Sequence, residues 1–390
     1  MKFFHLSDLH IGMRLYEHDL QEDQAYIFHR ITQAAAQEQP DAIVIAGDIY
    51  DKAVPSAEAV TLFDNFITDL LETLPKTEIL LISGNHDSAS RIDLYRSVLA
   101  KHRLHVIGLP PQTEQDFIEK LTLRDEYGPV NFYLLPFVRP SSIRKVIGTR
   151  ENGNNYSYND ALHLLIAREN IDLTERNVLV SHQFYLPAGT DASSIERADT
   201  EHITVGNIDA VTSDVLSPFD YAALGHIHKP MKVGSDIWRY CGTPLPYSLS
   251  EKDQHKGLIV VEMGAKGSVS TRVLPLIPLR QVRQITGTPE EVLAQACDDF
   301  VQVILTGPAD QDPVDTRERI SRAFPYLLNI RRENNWTAAY DSAAQQMKHD
   351  LDPFTLCCAF LGGTDGPNAL DDEDLEILKE VINTAKEVED

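Results

Sequence analysis

Phe219-Asp220-Tyr221-Ala222-Ala223-Leu224-Gly225-His226-Ile227-His228 decides how this chain is read. An apolar run suited to a buried strand breaks at a glycine, and two histidines one residue apart follow. Four other apolar runs end in the same manner. Phe3 to Leu6 leads into Ser7-Asp8-Leu9-His10, Ala42 to Ala46 into Gly47-Asp48-Ile49-Tyr50-Asp51, Ile79 to Ile82 into Gly84-Asn85-His86-Asp87, and Val178 to Val180 into Ser181-His182. Between several of these runs lie stretches with helical apolar periodicity, residues 23–37 and 56–74, and Pro55-Ser56 supplies a turn and an N-cap for the second. Such a pattern predicts a layered α/β fold. In sheets of this kind loops converge at the carboxyl ends of the strands, so five polar endings imply one shared site.

The residue types at those endings point to metal chemistry. A single strand-end His or Asp is ordinarily a cap or a satisfied polar residue, and Gly84-Asn85-His86-Asp87 taken alone reads as a turn. Five such endings in one chain are a different matter. If Asp8 and His10 lie in extended backbone they point the same way and can reach one ion together, as can His226 and His228. Glycines before Asp48, Asn85 and His226 suit sharp exits where a side chain would obstruct the cluster. Carboxylate, imidazole and amide donors without a thiolate suit two manganese-type ions better than a structural zinc, with iron and zinc left open. In a two-metal site a bridging carboxylate, for which Asp48 is the candidate, holds both ions, and a shared water becomes a hydroxide nucleophile near neutral pH.

Composition sets the outer limits. At 390 residues the chain exceeds one typical domain, and no apolar run approaches the roughly 20 residues that span a bilayer. The N-terminus reads as a first strand rather than a signal peptide, and four cysteines, two adjacent at Cys357 and Cys358, form neither a disulfide framework nor a metal knuckle. Cytoplasm is the expected compartment. A formal charge of −24 opposes broad nonspecific affinity for nucleic acid, because phosphate binding depends on Lys and Arg displacing counterions. A divalent pair and a local basic patch act at the site regardless of that average, and a partner can supply DNA grip.

With these residues in view, the chain resembles the calcineurin-like metallophosphoesterases, whose D-x-H, G-D-x-x-D, G-N-H-D/E, later H and G-H-x-H blocks are all present. More narrowly it is similar to SbcD-type nuclease subunits, through Ser7 to Gly12, Phe219 to His228, and Tyr240-Cys241-Gly242-Thr243-Pro244-Leu245-Pro246-Tyr247-Ser248-Leu249-Ser250-Glu251. Cys241 stands where a serine is common. The resemblance implies that Asp8, His10, Asp48 and His228 hold one metal and Asp48, Asn85, His182 and His226 the other. It places His86 against the substrate, stabilising the transition state or protonating the leaving oxygen, a role suited to an imidazole. Asp51 would orient His86 by accepting its second ring proton, and an aspartate at that position favours the bacterial branch.

The resemblance also implies a layout: a metallophosphoesterase domain over residues 1–275, a small α+β capping domain over 276–345, and a helical, acidic tail over 346–390. Within the second, strands are expected at 281–285, 300–305 and 327–331 and helices at 289–297 and 315–324. Arg280, Arg283, Arg331 and Arg332, and the cluster Arg139, Arg144 and Lys145, are candidate DNA contacts set against ordinary solvated surface. In the tail Leu375, Leu378, Ile382 and Ala385 form an apolar stripe. By resemblance that stripe docks with Phe354 and Leu356 onto an SbcC-type ABC ATPase, against folding back on its own core. The expected function is metal-dependent cleavage of DNA ends and hairpins by a homodimer working with that ATPase. Action on small phosphodiesters or phosphoproteins, or a scaffold that has lost its chemistry, are the alternatives.

Overall fold

The computed structural model describes residues 1–187, 189–190, 209–307, 312–333 and 377–378. Residues 1–305 and 309–331 form one compact unit and residues 306–308 and 332–390 a second. The layered core lies in the first. Of the tail residues expected to dock onto a partner, Leu378 is described, whereas Phe354, Leu356, Leu375, Ile382 and Ala385 lie outside the described residues.

Along the chain come β1 (Lys2–Leu6), α1 (Gln21–Glu38), β2 (Ala42–Ala46), α2 (Ala57–Thr73), β3 (Glu78–Ile82) and β4 (Leu104–Ile107). Next are β5 (Glu119–Asp125), β6 (Gly128–Leu135), α3 (Tyr158–Ala167), β7 (Arg176–His182) and β8 (Tyr221–Gly225). The short β9 (Met231–Lys232) and β10 (Trp238–Tyr240) precede β11 (Gly257–Met263) and β12 (Val269–Pro275). The last part holds β13 (Val282–Gly287), α4 (Pro289–Leu293), β14 (Phe300–Leu305), α5 (Pro313–Ala323) and β15 (Leu327–Arg332).

Two six-stranded sheets result, in the orders β12-β11-β1-β2-β3-β4 and β9-β10-β8-β7-β6-β5. β1 to β4 run parallel, as do β6, β7, β8 and β10. The hairpin β11–β12 adds to β1 antiparallel, and β5 closes the other edge antiparallel to β6. Strand alternation then fixes the layers. Phe4 and Leu6 face α1 and α2, where Phe28 stacks on Phe66 with ring centroids 4.5 Å apart, while Phe3 faces the second sheet. Phe3 meets Phe132 and Tyr221 edge-on at 5.3 and 5.6 Å. Leu162 and Leu165 of α3 cover the far side of the second sheet, so the molecule is two sheets face to face between helices. That agrees with the layered α/β expectation.

The five apolar runs are all strands. Ser56 accepts a hydrogen bond from the Ala59 amide at 3.2 Å and caps α2, as its place after Pro55 predicts. Two departures stand out. The helix expected over residues 289–297 stops at Leu293, although a Thr288–Glu291 capping box starts it. The hairpin β5–β6 and strand β4 went unmarked; of these the Lys- and Glu-bearing edge strand β5 is largely exposed and carries no buried run. The three-stranded sheet β13-β14-β15 packs Val282, Phe300 and Leu328 into the same core cluster as α1 and α2. Arg280 joins this contact: it pairs with Asp23 at 2.7 Å and Glu22 at 2.5 Å and lies 4.2 Å over the Tyr326 ring. It is thereby committed to two carboxylates and a ring.

One buried histidine joins the two sheets. His5 on β1 must donate from Nε2 to the Leu224 carbonyl of β8 at 3.2 Å, so its Nδ1 accepts from the Tyr221 hydroxyl at 3.0 Å. Burial lowers its pKa from 6.5 to about 3, aided by Arg239 and against its bond to Leu224. A group depressed in this way is neutral in the fold while the unfolded chain takes up a proton below about 6.5. Its contribution is whole above that value and is lost as pH falls toward 3. Stability at pH 5 should therefore be lower by about 2 kcal/mol from this residue alone. Urea midpoints at pH 7.5, 6 and 5 for wild type and His5→Gln check this: the variant is weaker throughout but shows the shallower acid slope, and parallel slopes would refute it.

Candidate metal centre

The loops after β1 and β2 are zipped together beyond the ends of their strands. The amides of Asp8, His10 and Ile11 donate to the carbonyls of Gly47, Asp48 and Ile49 at 3.0, 3.0 and 2.9 Å. Asp8 and His10 were expected in extended backbone. Instead Asp8, His10, Asp48 and His226 have φ of 54°, 42°, 50° and 105°. Non-glycine residues avoid this region, so four of them within one cluster mark strain held by the surrounding structure. The two loops leave parallel strands and must turn their side chains toward each other; strand alternation cannot do that.

Glycine is required at the crossings. A Cβ on Gly47, itself at φ 88°, would come 2.7 Å from Cγ of the His182 ring, and one on Gly84 would come 2.7 Å from the Asp48 carboxyl carbon. At Gly225 it would lie 2.8 Å from His182 Nδ1. The expectation that a side chain there would obstruct the cluster has this geometric content.

The polar endings converge in overlapping groups. Asp8, His10 and His228 place one donor atom each within 4.8 Å of one another, and so do Asp8, Asp48 and His182, and His10, Asp48 and His86. His10 Nε2 faces His228 Nε2 at 3.1 Å. On the other side Asn85 Oδ1 lies 3.0 Å from His182 Nε2 and 2.9 Å from His226 Nδ1. Asp48 stands between them. Its Oδ1 accepts the His86 amide at 2.9 Å, leaving Oδ2 at 3.6 Å from His10 Nε2 and 3.2 Å from His182 Nε2. All seven predicted ligands are thus brought together; six are at most 5% exposed and Asn85 is half-buried.

These contacts fit divalent ions. Adjacent donors about 2.1 Å from one ion lie about 3 Å apart, the spacing seen here. His182 donates Nδ1–H to the Ala46 carbonyl at 2.8 Å, which turns the Nε2 lone pair on the oxygens of Asn85 and Asp48. Electron-rich atoms facing one another demand a cation. A proton meets that demand when no ion is bound: burial lowers the His182 pKa, but the Asp48 carboxylate overrides it and raises it to about 9. Burial likewise pushes Asp48 up, and the His182 ring beside it holds it well below the usual carboxylate range. For Asp8 burial prevails over the nearby His182 and His228 rings and the shift is upward.

His86 sits at the rim, half-buried, its ring centroid 4.8 Å from that of His10 and nearly perpendicular. Its Nδ1–H donates to the backbone carbonyl of Asp51 at 2.9 Å. Asp51 therefore contacts His86 as the sequence reading asked, but through its main chain; its carboxylate lies 4.0 Å from His10 Nδ1. The side chain that ties this region together is one that the motif pattern assigns no role. Asp87 accepts from the amides of Ile49, Tyr50 and Gly84 at 3.0, 3.0 and 2.9 Å, joining the loop that carries Asp48 to the turn that carries Asn85 and His86. Burial, with Asp48 nearby, pushes its pKa to about 6.

Three other contributors escaped the sequence reading. Buried Gln24 of α1 donates to the His10 carbonyl at 2.8 Å and accepts from the Gly12 amide at 3.1 Å. Phe137 stacks on the His226 ring with centroids 6.4 Å apart, and the Arg139 guanidinium lies 5.5 Å from the Phe137 centroid. Glu251, buried against Lys256, stands 3.7 Å from His228 Nδ1. Burial pushes its carboxyl up, but His228 and Lys256 hold it at about 2. Only Glu251 had a signal, its place at the end of the Tyr240–Glu251 block.

Comparison with known proteins gives the family. The family model described as calcineurin-like phosphoesterase matches residues 1–230. The SbcD subunit of nuclease SbcCD from Staphylococcus saprophyticus is 32% identical over 298 residues, 76% of this chain and 74% of that protein. Its namesake from Staphylococcus epidermidis is 32% identical over 297 residues, covering 76% and 75%. A crystal structure of a dimetal phosphatase from Danio rerio aligns at TM-score 0.41 and 13% identity, over 71% of this chain and 96% of that one. With one family model across the catalytic loops and two relatives across three quarters of its length, the chain belongs to the calcineurin-like phosphoesterases, in the branch of the SbcD nuclease subunits.

Proposed function

We propose that this chain hydrolyses DNA phosphodiester bonds, as a double-strand exonuclease and a single-strand or hairpin endonuclease, using two manganese ions and working with an SbcC-type ATPase. The observation that carries the reading is that donor atoms of Asp8, His10 and His228, of Asp8, Asp48 and His182, and of His10, Asp48 and His86 each lie within 4.8 Å of one another, with Asn85 Oδ1 against His182 and His226. By resemblance Asp8, His10, Asp48 and His228 would hold one ion and Asp48, Asn85, His182 and His226 the other. The names of the staphylococcal relatives supply the nuclease activity and the partner. When bound, the ion pair supplies Lewis acidity and an acidified water.

The protein's own side chains do the rest. Asp48 Oδ2, shared between the two groups, sets their spacing. The Asp51 carbonyl fixes the tautomer of His86, whose Nε2 then serves the scissile phosphate, stabilising its charge or protonating the leaving oxygen. Arg139, held over the Phe137 ring beside the second group, offers a cation for the backbone. Residues 276–345 act as the cap and 346–390 as the ATPase-docking tail. Val60, Leu94, Tyr95 and Val98 are exposed apolar side chains on or near α2, and such a patch supports a homodimer through that face. Among the described residues no helix is long and apolar enough to cross a membrane.

The test is incubation of the purified chain with manganese and a labelled hairpin or linear duplex, with and without chelator. Chelator-sensitive cleavage is expected. Hydrolysis of a small phosphodiester without any DNA cleavage, even with the ATPase added, would replace the DNA reading with that of a small-substrate phosphoesterase.

A further inference from the structure

The segment from Tyr240 to Glu251 holds none of the seven candidate ligands, yet it encloses an ion pair that is wholly out of water. Glu251 is 0% exposed, and its Oε2 meets Lys256 Nζ at 2.5 Å with both side chains at 2% exposure or less. Burying two charges is costly unless each is held by further hydrogen bonds, and a packed apolar pair would ordinarily serve stability as well. Here the bonds are complete. Glu251 Oε1 accepts from the Tyr247 amide at 3.3 Å and the Ser248 hydroxyl at 3.0 Å, and Oε2 accepts from the Thr243 hydroxyl at 3.1 Å. Lys256 also donates to Gln254 Oε1 at 2.7 Å.

Both members of the pair reach one residue. Glu251 Oε1 is 3.7 Å from His228 Nδ1, and Lys256 Nζ donates to the His228 carbonyl at 3.0 Å, where the Thr243 amide also donates at 3.2 Å. His228 is thus hydrogen-bonded at its backbone carbonyl, and a carboxylate stands at ion-pair distance behind the ring nitrogen that faces away from His10. The corresponding nitrogen of His182, in the other group, meets the neutral Ala46 carbonyl. A carboxylate behind an imidazole orients it and makes its far nitrogen a stronger donor than a carbonyl does.

We propose that Glu251, held in place by Lys256, is a positioning residue that sets the affinity of the Asp8–His10–His228 position and leaves the Asn85–His182–His226 position untouched. The proposal rests on reading His228 as a metal ligand. Its consequence is a centre whose two positions, although joined through Asp48, differ in affinity, with one position tuned by a residue that touches neither ion nor substrate.

Manganese titration of the whole chain by calorimetry, with ion content measured after dialysis, tests this. Wild type is expected to bind two ions. Glu251→Gln keeps the shape and removes the charge; it should weaken one position by about 10- to 100-fold and leave the other within error. Should that variant unfold because Lys256 loses its carboxylate partner, Glu251→Gln combined with Lys256→Met removes both charges and should show the same one-sided loss. Equal weakening of both positions, or no change at either, would make the pair a structural element only and overturn the proposal. A wild-type chain that binds no ion pair would instead overturn the metal-centre reading itself, a separate outcome.

Discussion

His86→Ser lowers the rate of phosphodiester hydrolysis by about 10² to 10⁴-fold while the chain still binds two ions, the range expected when one positioned proton donor is lost. The separation follows from the geometry. His86 lies at the rim, and its ring donates to the Asp51 carbonyl. Serine removes the ring but keeps the backbone amide that donates to Asp48 Oδ1 at 2.9 Å, so Asp48 keeps this partner. Turnover of a small chromogenic phosphodiester beside ion content by elemental analysis reads both halves. Loss of ions together with activity would make His86 a ligand and move it out of the proton-transfer role.

Asp48→Asn should have the opposite signature, with activity reduced to background and neither ion retained. The substitution preserves shape, and if the amide oxygen takes the place of Oδ1 the His86 amide keeps its acceptor. What changes is the atom between the groups, 3.6 Å from His10 Nε2 and 3.2 Å from His182 Nε2, which becomes an uncharged donor. Loss of an outer-shell partner costs about 10- to 100-fold in metal affinity, so loss of a shared ligand should exceed about 100-fold at both positions. Manganese titration of the purified variant checks it. Retention of one tightly bound ion would show that Asp48 belongs to a single group and that another residue bridges.

The contrast between the two variants separates holding the metals from using them. On the proposed roles His86, Asp48 and Glu251 fall on one scale: a side chain that acts on substrate, one shared by both groups, and one that acts at a distance on a single group. Each predicts a different pairing of ion content with rate.

Much of the site is legible in the sequence because its donors follow directly on buried strands. Asp8, Asp48, Asn85, His182 and His226 each stand within three residues of an apolar run, and a parallel sheet brings such positions to one edge whatever the loops do between them. The helices α1 and α2 are legible for a related reason, since periodicity and the Ser56 cap are local properties. Strand β5 is not, because an edge strand half in water carries no distinctive pattern, and β4 is an apolar stretch of only four residues. Asp51 is readable as a contact of His86, but that the contact is made by its carbonyl depends on how two loops lie together.

By itself, then, the sequence determined which residue types stand at which strand ends, and with them the layered fold and the metal-binding chemistry. Local pattern suffices there because the strand buries its own run and delivers the next polar residue to the sheet's edge. Only tertiary structure decided the left-handed backbone of Asp8, His10, Asp48 and His226, the Asp87 staple between two loops, the Glu251–Lys256 grip on His228 and the commitment of Arg280 to Asp23 and Tyr326. Each of these joins segments far apart in the chain or stores strain that neighbours must hold. Their energies arise from desolvation and contact between distant parts, and no local stretch of residues contains that information.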